Sequence, residues 1–399
     1  MANTALQQVA SVSALKEAWV DISRKKLGKP GASRAGPDGE SLASFASRVD
    51  AQSKLLSNEI LSNRFRFSKL DPHFIPKPDG KFRVICVPSV SDRVVQRAIL
   101  KAIGRKQAWM QNAVSYGFVA DGGVERAARK AIQYRKAKPW VFKTDITKFF
   151  DHVGRDLLKE KVVRQVKQKS LHPLLFDAIN CEIQPRTKLH ATRIKSLGII
   201  EGRGVRQGMP LSPFFANLFL ADFDRTCIKA EHSVLRYADD LIFFASSESE
   251  AIALQVFCTD ELKKVELQIP EIASGAKSQI YSPDQAAEFL GVELTKAGAS
   301  EYQISLGKKQ FDNIKENIYS LQSLAELRRR GLDITRFGNS LAARIAAYSA
   351  TYEFCSNSDQ LEICLSDWAK ATRRKVALAL GIDLSVLSDD GHWFLGING

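Results

Sequence analysis

Apolar and polar positions divide this chain into stretches with different secondary-structure signals. Residues 41–61 carry apolar side chains at helical spacing. HFIPKPDGKFRVICVP, residues 73–88, reads as two short strands around the turn Pro78-Asp79-Gly80. From Ser91, SDRVVQRAILKAIG offers an N-cap serine, with Val94, Val95, Ala98 and Ile99 on one helical face. Three strand-like apolar blocks occupy residues 140–146, 235–245 and 288–294. Between the first two, a Gly-Met-Pro-Leu-Ser-Pro turn opens a helix predicted over 212–224. Further on, Phe311, Ile314, Ile318, Leu321 and Leu324 recur in steps of three and four, the mark of an amphipathic helix. Stretches 341–352 and 363–380 extend this into a small helical domain. No internal repeat is visible. The segment KKLGKPGASRAGPDG, residues 25–39, is a basic loop that suits either a linker or a phosphate backbone.

Composition narrows the class. Of 399 residues, 45% are hydrophobic, which excludes a disordered chain and suits two or three sub-domains. No apolar run approaches the ~18 residues of a membrane span, and the first residues lack a signal-peptide pattern. The six cysteines form no C-x-x-C pair, so a cytoplasmic chain with reduced thiols is expected. The six histidines include no zinc-binding spacing, and any metal would be held by oxygen, as magnesium is. With 58 Lys+Arg against 44 Asp+Glu, the net charge of +14 points to a polyanionic partner or to solubility alone. The basic runs Arg328–Arg330 and Arg373–Lys375 read equally well as solvated surface or phosphate contacts.

The chemistry lies in the acids. In VLRYADDLIFFA, residues 234–245, Asp239 and Asp240 sit between apolar flanks. An acidic turn between two strands is the plain alternative, but such turns usually carry Gly or Asn for positive φ. Asp145 ends the apolar run VFKTD and precedes Ile146, while Asp151 on the same segment is less clearly inward-facing. Two strands ending in aspartate could meet in a sheet and hold two Mg²⁺ ions ~3.5–4 Å apart, ready for in-line displacement at phosphorus. Such acids would serve a polymerase or a nuclease.

The surrounding motifs resolve that choice. Gly36-Pro37-Asp38-Gly39, IPKPDGKFRVICVP with DRVVQ, SYGF, KTDITKFFDHV, RQGMPLSPFFANLFL, YADD, KSQIY and Phe289-Leu290-Gly291 follow one another in order. With them the chain resembles bacterial reverse transcriptases of the group II intron lineage, over residues 36–291. The resemblance implies an α+β right-hand polymerase with fingers, palm (antiparallel sheet plus helices) and a helical thumb. It places an N-terminal extension and fingers at 1–140, palm at 141–155, an insertion at 156–200, palm again at 201–300, and thumb and tail at 301–399. Asp145, Asp239 and Asp240, with Ile146, would form the metal site for two Mg²⁺ ions, Mn²⁺ being the alternative ion. Lys77 and Arg83 would clamp the triphosphate of a dNTP, and Gln207 and Gly208 would position it. Phe150 would exclude a 2′-hydroxyl, or else be a core ring as its neighbour Phe149 is expected to be. Lys277 would protonate pyrophosphate, and Phe289, Leu290 and Gly291 would grip the primer.

Within the lineage, about 105 residues follow the primer-grip motif, room for a thumb but not for endonuclease or RNase H domains. The N-A-x-x-H block and V-T-G triplet of retron enzymes are missing from the sequence. The expectation is a stand-alone, defence-associated enzyme copying a structured non-coding RNA template into cDNA, with a retron-like enzyme as second choice. A maturase that mainly binds RNA, and a template-independent or protein-primed DNA polymerase, are the rival classes. Oligomeric state is not readable from the sequence.

Overall fold

Alternating burial starts the first hairpin. In the computed structural model, β1 (Asp71–Pro76) and β2 (Phe82–Val87) pair antiparallel, with Asp71 opposite Val87 and Pro76 opposite Phe82. Val84 and Cys86 point inward against Leu70, Cys181 and Met209. The structure describes residues 3–24, 27, 32–33, 35–77, 80, 82–104, 107, 109–273 and 276–397. Much of the 25–39 loop, and Pro78 and Asp79 of the expected turn, lie outside the described residues.

Two units divide the chain: residues 1–123, 142–245 and 249–280 in one, and 124–141, 246–248 and 281–399 in the other. The first carries a four-stranded sheet made of β3 (Trp140–Asp145), β4 (Ser233–Tyr237), β5 (Asp240–Ala245) and β6 (Gln279–Tyr281), in the order β4-β5-β3-β6. Phe142 on β3 stacks on Phe243 of β5 at 5.7 Å, both fully buried. Helix Ser212–Lys229 runs five residues past its predicted end, because the buried stripe continues through Asp224 and Cys227. In the second unit, β7 (Ala287–Phe289), β8 (Val292–Lys296) and β9 (Tyr302–Ser305) form an antiparallel meander. Arg135 from helix Val124–Ala137 holds it, donating to the carbonyls of Ser282 at 3.0 Å, Gln285 at 2.6 Å and Leu294 at 2.5 Å. Helices Lys308–Tyr319, Ile334–Tyr352 and Ser358–Ala379 form the helical part of this unit.

Four expectations are corrected. The stretch 41–61 is two helices, Leu42–Ala46 and Val49–Leu61. Arg48 leaves helical geometry at φ −132° and bonds Glu40 at 2.7 Å. The next helix, Val90–Ile103, is capped by Ser89 rather than Ser91: the Ser89 hydroxyl accepts from the Asp92 N–H at 3.0 Å. Block 235–245 is a hairpin, β4 and β5, rather than one strand. Block 288–294 likewise turns at Leu290 and Gly291, with φ of 54° and 82°. The basic runs of the helical unit are partly self-satisfied. Arg329 and Arg330 both bind Glu326, and these side-chain bonds hold its carboxyl down to about 2. Arg373 and Arg374 donate to the carbonyls of Gly396 and Ile397. Among the described residues no helix is long and apolar enough to cross a membrane.

Asp92 is buried, and desolvation raises its carboxyl from 3.8 to about 6. The folded state therefore holds a proton that the unfolded chain has lost, so stability falls as pH rises from 3.8 to about 6. Asp92→Asn keeps an acceptor for the Ser68 N–H. It should be more stable than wild type by about 3 kcal/mol well above pH 6 in urea unfolding, with the difference vanishing near pH 4.

Candidate active site

Strand pairing brings the acids together. Tyr237 and Asp240 face each other across β4 and β5, so Ala238 and Asp239 form a two-residue turn. Ala238 supplies the positive φ, at 57°, that such a turn needs. The left-handed conformation costs a non-glycine residue about 1–2 kcal/mol. The Asp239 carbonyl accepts from Ile146 N–H at 3.0 Å, which docks the turn on the end of β3 beside Asp145. Asp145, Asp239 and Asp240 thus share one end of adjacent strands.

Electrostatics at this end is under-compensated. Burial, then the neighbouring Asp145 charge, pushes the Asp239 carboxyl above its ordinary range. Burial raises Asp240 to about 6, opposed by Lys143 and reinforced by Asp239 and Asp145. Lys277 forms an ion pair with Asp145 Oδ2, and a 2.6 Å hydrogen bond between Thr144 and Ser278 ties β6 to β3 behind it. The other carboxylate oxygen, Asp145 Oδ1, is buried without a hydrogen-bond partner. Among the described residues, no group of three or more His, Cys, Asp or Glu side chains is arranged to hold a metal by itself. That suits Mg²⁺, which commonly binds one or two carboxylates and completes its shell with water and substrate phosphates. An orphaned carboxylate oxygen and two charge-strained acids fit such a cation.

A cleft of about 780 Å³ brings together Arg83, Phe150, Gln207, Gly208 and Asp239. Gly208 has φ 110°, and a Cβ there would lie 2.5 Å from the Cys86 carbonyl, so only glycine fits. Gln207 O accepts from Cys86 N–H at 2.6 Å, which locks this segment to β2. Phe149 is the core ring, at 1% exposure, whereas Phe150 is half-buried on the cleft wall. Lys77 is exposed beyond β1, outside the cleft lining, and its charge acts on Asp151. Asp151 itself is pushed up by burial. Phe289 is buried at the end of β7, with Leu290 and Gly291 in the turn after it, all in the second unit.

Several neighbours escaped the sequence reading. Arg24, Arg93 and Arg97 also line the cleft, presented by helix Val12–Ser23 and its C-cap and by helix Val90–Ile103. The charge count alone could not place them. Lys143 was more accessible: it stands two residues before Asp145, and period two puts both on one face of β3.

Comparison with known proteins adds the family. The profile of the reverse transcriptase (RNA-dependent DNA polymerase) family matches residues 75–294. Protein YkfC of Escherichia coli (strain K12) is 28% identical over 229 residues, 55% of this chain and 57% of that protein. The putative COX1/OXI3 intron 2 protein of Saccharomyces cerevisiae (strain ATCC 204508 / S288c) is 26% identical over 174 residues, 43% of this chain and 19% of that protein. Among solved structures, a partial Cas6-RT-Cas1–Cas2 complex has a chain 24% identical, with a TM-score of 0.38, covering 66% of this chain and 42% of that one. The match thus spans 57% of the first of these curated relatives and a smaller share of the second.

The acid cluster makes a prediction that needs no nucleotide. Mn²⁺ or Mg²⁺ at about 100-fold over its Kd should stabilise the wild type by about 2.7 kcal/mol in thermal unfolding. Asp145→Asn with Asp239→Asn should lose most of that gain. An equal gain in the double variant would remove these acids from the metal site.

Proposed function

The chain belongs to the reverse transcriptase (RNA-dependent DNA polymerase) family, and from that premise we propose that it is an RNA-directed DNA polymerase making cDNA from dNTPs. Its fold is the family's α+β right-hand polymerase. The observation that carries the activity is the docking of the Asp239 turn on β3, which gathers Asp145, Asp239 and Asp240 beside a cleft holding Arg83, Phe150 and Gln207. Bare scaffolding for RNA would not need buried, mutually repelling carboxylates.

Asp145, Asp239 and Asp240, with the Ile146 backbone, would hold the two Mg²⁺ ions, for which Mn²⁺ could substitute. When bound, the ions would supply Lewis-acid stabilisation for the attacking 3′-hydroxyl and the leaving pyrophosphate. The chain's own residues do the rest. Arg83 lines the cleft from β2 and would neutralise triphosphate oxygens, with Lys77 joining from the hairpin end. Gln207 and the bare backbone at Gly208 would hold the nucleotide base and sugar close. Phe150 would stand under the sugar and exclude a 2′-hydroxyl. Lys277 would leave Asp145 to hand a proton to pyrophosphate, and the Phe289–Gly291 turn would grip the primer. The template we propose is a structured non-coding RNA and the setting bacterial anti-phage defence in the cytoplasm. Support for the setting is the lack of retron signatures in the sequence, and for the compartment the six unpaired cysteines.

The test is to purify the protein, sequence its bound nucleic acid, and add Mg²⁺ with labelled dNTPs. Wild type should incorporate dNTPs, and Asp239→Ala with Asp240→Ala should reduce this by at least about 1,000-fold. Equal incorporation overturns the polymerase reading; bound intron-like RNA without incorporation favours the maturase. In a second experiment, Phe150→Ala should raise rNTP over dNTP use by about tenfold or more. Unchanged sugar selectivity removes its role as gate.

A further inference from the structure

A buried cation that does not itself line the cleft stands behind the acid-bearing turn. Arg236 on β4 is 0% exposed, and Asp224 on helix Ser212–Lys229 is 1% exposed. Their pairing is bidentate, Nε to Oδ1 at 2.7 Å and Nη2 to Oδ2 at 2.5 Å. The remaining nitrogen, Nη1, donates to Asn217 Oδ1 at 3.0 Å and to the Ala238 carbonyl at 3.1 Å. Asn217 in turn donates to the Gly117 carbonyl at 2.9 Å, and Asn112 donates to Asp224 Oδ2 at 3.1 Å. Gly117 presses on the same turn: a Cβ there would sit 2.6 Å from Ala238 N.

We propose that Arg236 is a positioning residue for the polymerase reaction, clamping the left-handed Ala238 peptide through its carbonyl so that Asp239 is presented to the metal site. The inference rests on the polymerase reading above. Ala238 prefers to leave positive φ, and glycine would not. The hydrogen bond from Nη1 counters that preference. Only a planar fork with five donors can grip both Asp224 oxygens, Asn217 and the turn carbonyl at once; lysine cannot. The role is therefore separable from mere charge pairing with Asp224.

The experiment compares Arg236→Lys, Arg236→Lys with Ala238→Gly, and Asn217→Ala, each checked for cooperative melting. In Arg236→Lys, kcat should fall by about 10- to 100-fold while the dNTP KM changes by less than about threefold. Mn²⁺ half-saturation, read by electron paramagnetic resonance without substrate, should rise by about tenfold. Adding Ala238→Gly should recover about tenfold in kcat, because glycine holds the turn without the clamp. If Arg236→Lys does not fold, Asn217→Ala carries the same test with the same expected split. A folded Arg236→Lys protein with unchanged Mn²⁺ affinity, or a double variant no better than the single, overturns the proposal. Absence of incorporation by wild type would instead sink the polymerase reading, and Mn²⁺ affinity would still decide the role of Arg236.

Discussion

The Arg236–Asp224 pair is the constraint around which the first unit is organised. Both charges are out of water, so each is tolerable only because the other is there; removing one from such a pair typically costs about 3–5 kcal/mol. The pair also joins elements distant in sequence. Asp224 belongs to helix Ser212–Lys229, Arg236 to β4, and Asn112 reaches in from the segment that bridges to β4 through Ser115. Backbone bonds follow the same path, Arg236 N–H to Val114 O and Tyr116 N–H to Arg236 O, each 2.8 Å. A hydrophobic substitute could fill the volume, but it could not point a donor at Ala238. That is a reason for a charged pair where an apolar one would pack.

From this anchor the electrostatics of the acid cluster follows. Hydrogen bonds from Arg236 to Ala238 O and from Ile146 N–H to Asp239 O tie the turn beside Asp145. Burial therefore appears as raised carboxyl affinity for protons at Asp239 and Asp240. Lys143, Lys277 and Arg83 offset part of the charge without enclosing it. A strongly basic chain thus keeps a small acidic focus in which burial still raises Asp239 and Asp240 despite these neighbouring cations. The contrast with the helical unit is instructive: there Glu326 takes up Arg329 and Arg330 within one turn, so those arginines contribute less field than their number implies.

Legibility in the sequence tracked the range of the interaction that decides each feature. The β1–β2 hairpin, the helix opened at Ser212, and β3 ending in Asp145 depend on local pattern, and all were visible. Features set by tertiary contact were not. The lack of Gly or Asn argued against a turn at the acids, yet Ala238 adopts positive φ there, with Arg236 bonded to its carbonyl and Gly117 packed close against it. Ser91 looked like a cap, but Ser89 takes the role because its hydroxyl reaches the Asp92 N–H. Arg236 itself sits in VLRYADDLIFFA with no local signal to mark it. Its partner lies twelve positions away on another element, and no periodicity links the two. Arg24, Arg93 and Arg97 were hidden for the same reason: only packing of two helices beside the cleft shows that they share it.

The same logic extends to the aromatic ring at the cleft wall. The gate role proposed for Phe150 requires a ring that cannot retreat, so the backbone beneath it matters as much as the ring. That backbone is held from both sides. Lys148 takes a left-handed φ of 46° to open the short helix Phe149–His152, and its Nζ donates to the Leu197 carbonyl at 3.0 Å. On the other side, Val205 N–H donates to the Phe150 carbonyl at 2.8 Å. Val205 is followed by Arg206, whose guanidinium binds Glu182 at 2.7 Å together with Arg155 at 2.6 Å. An Arg–Glu–Arg set, its arginines buried and its glutamate partly exposed, thus braces the segment that carries Gln207 and Gly208 and, through Val205, the backbone of Phe150. Two ionic clusters, one behind the acids and one behind the ring, brace a cleft whose own lining mixes charged, polar and apolar side chains. Rigidity is imported from the interior, which leaves the cleft residues themselves free to be chosen for chemistry.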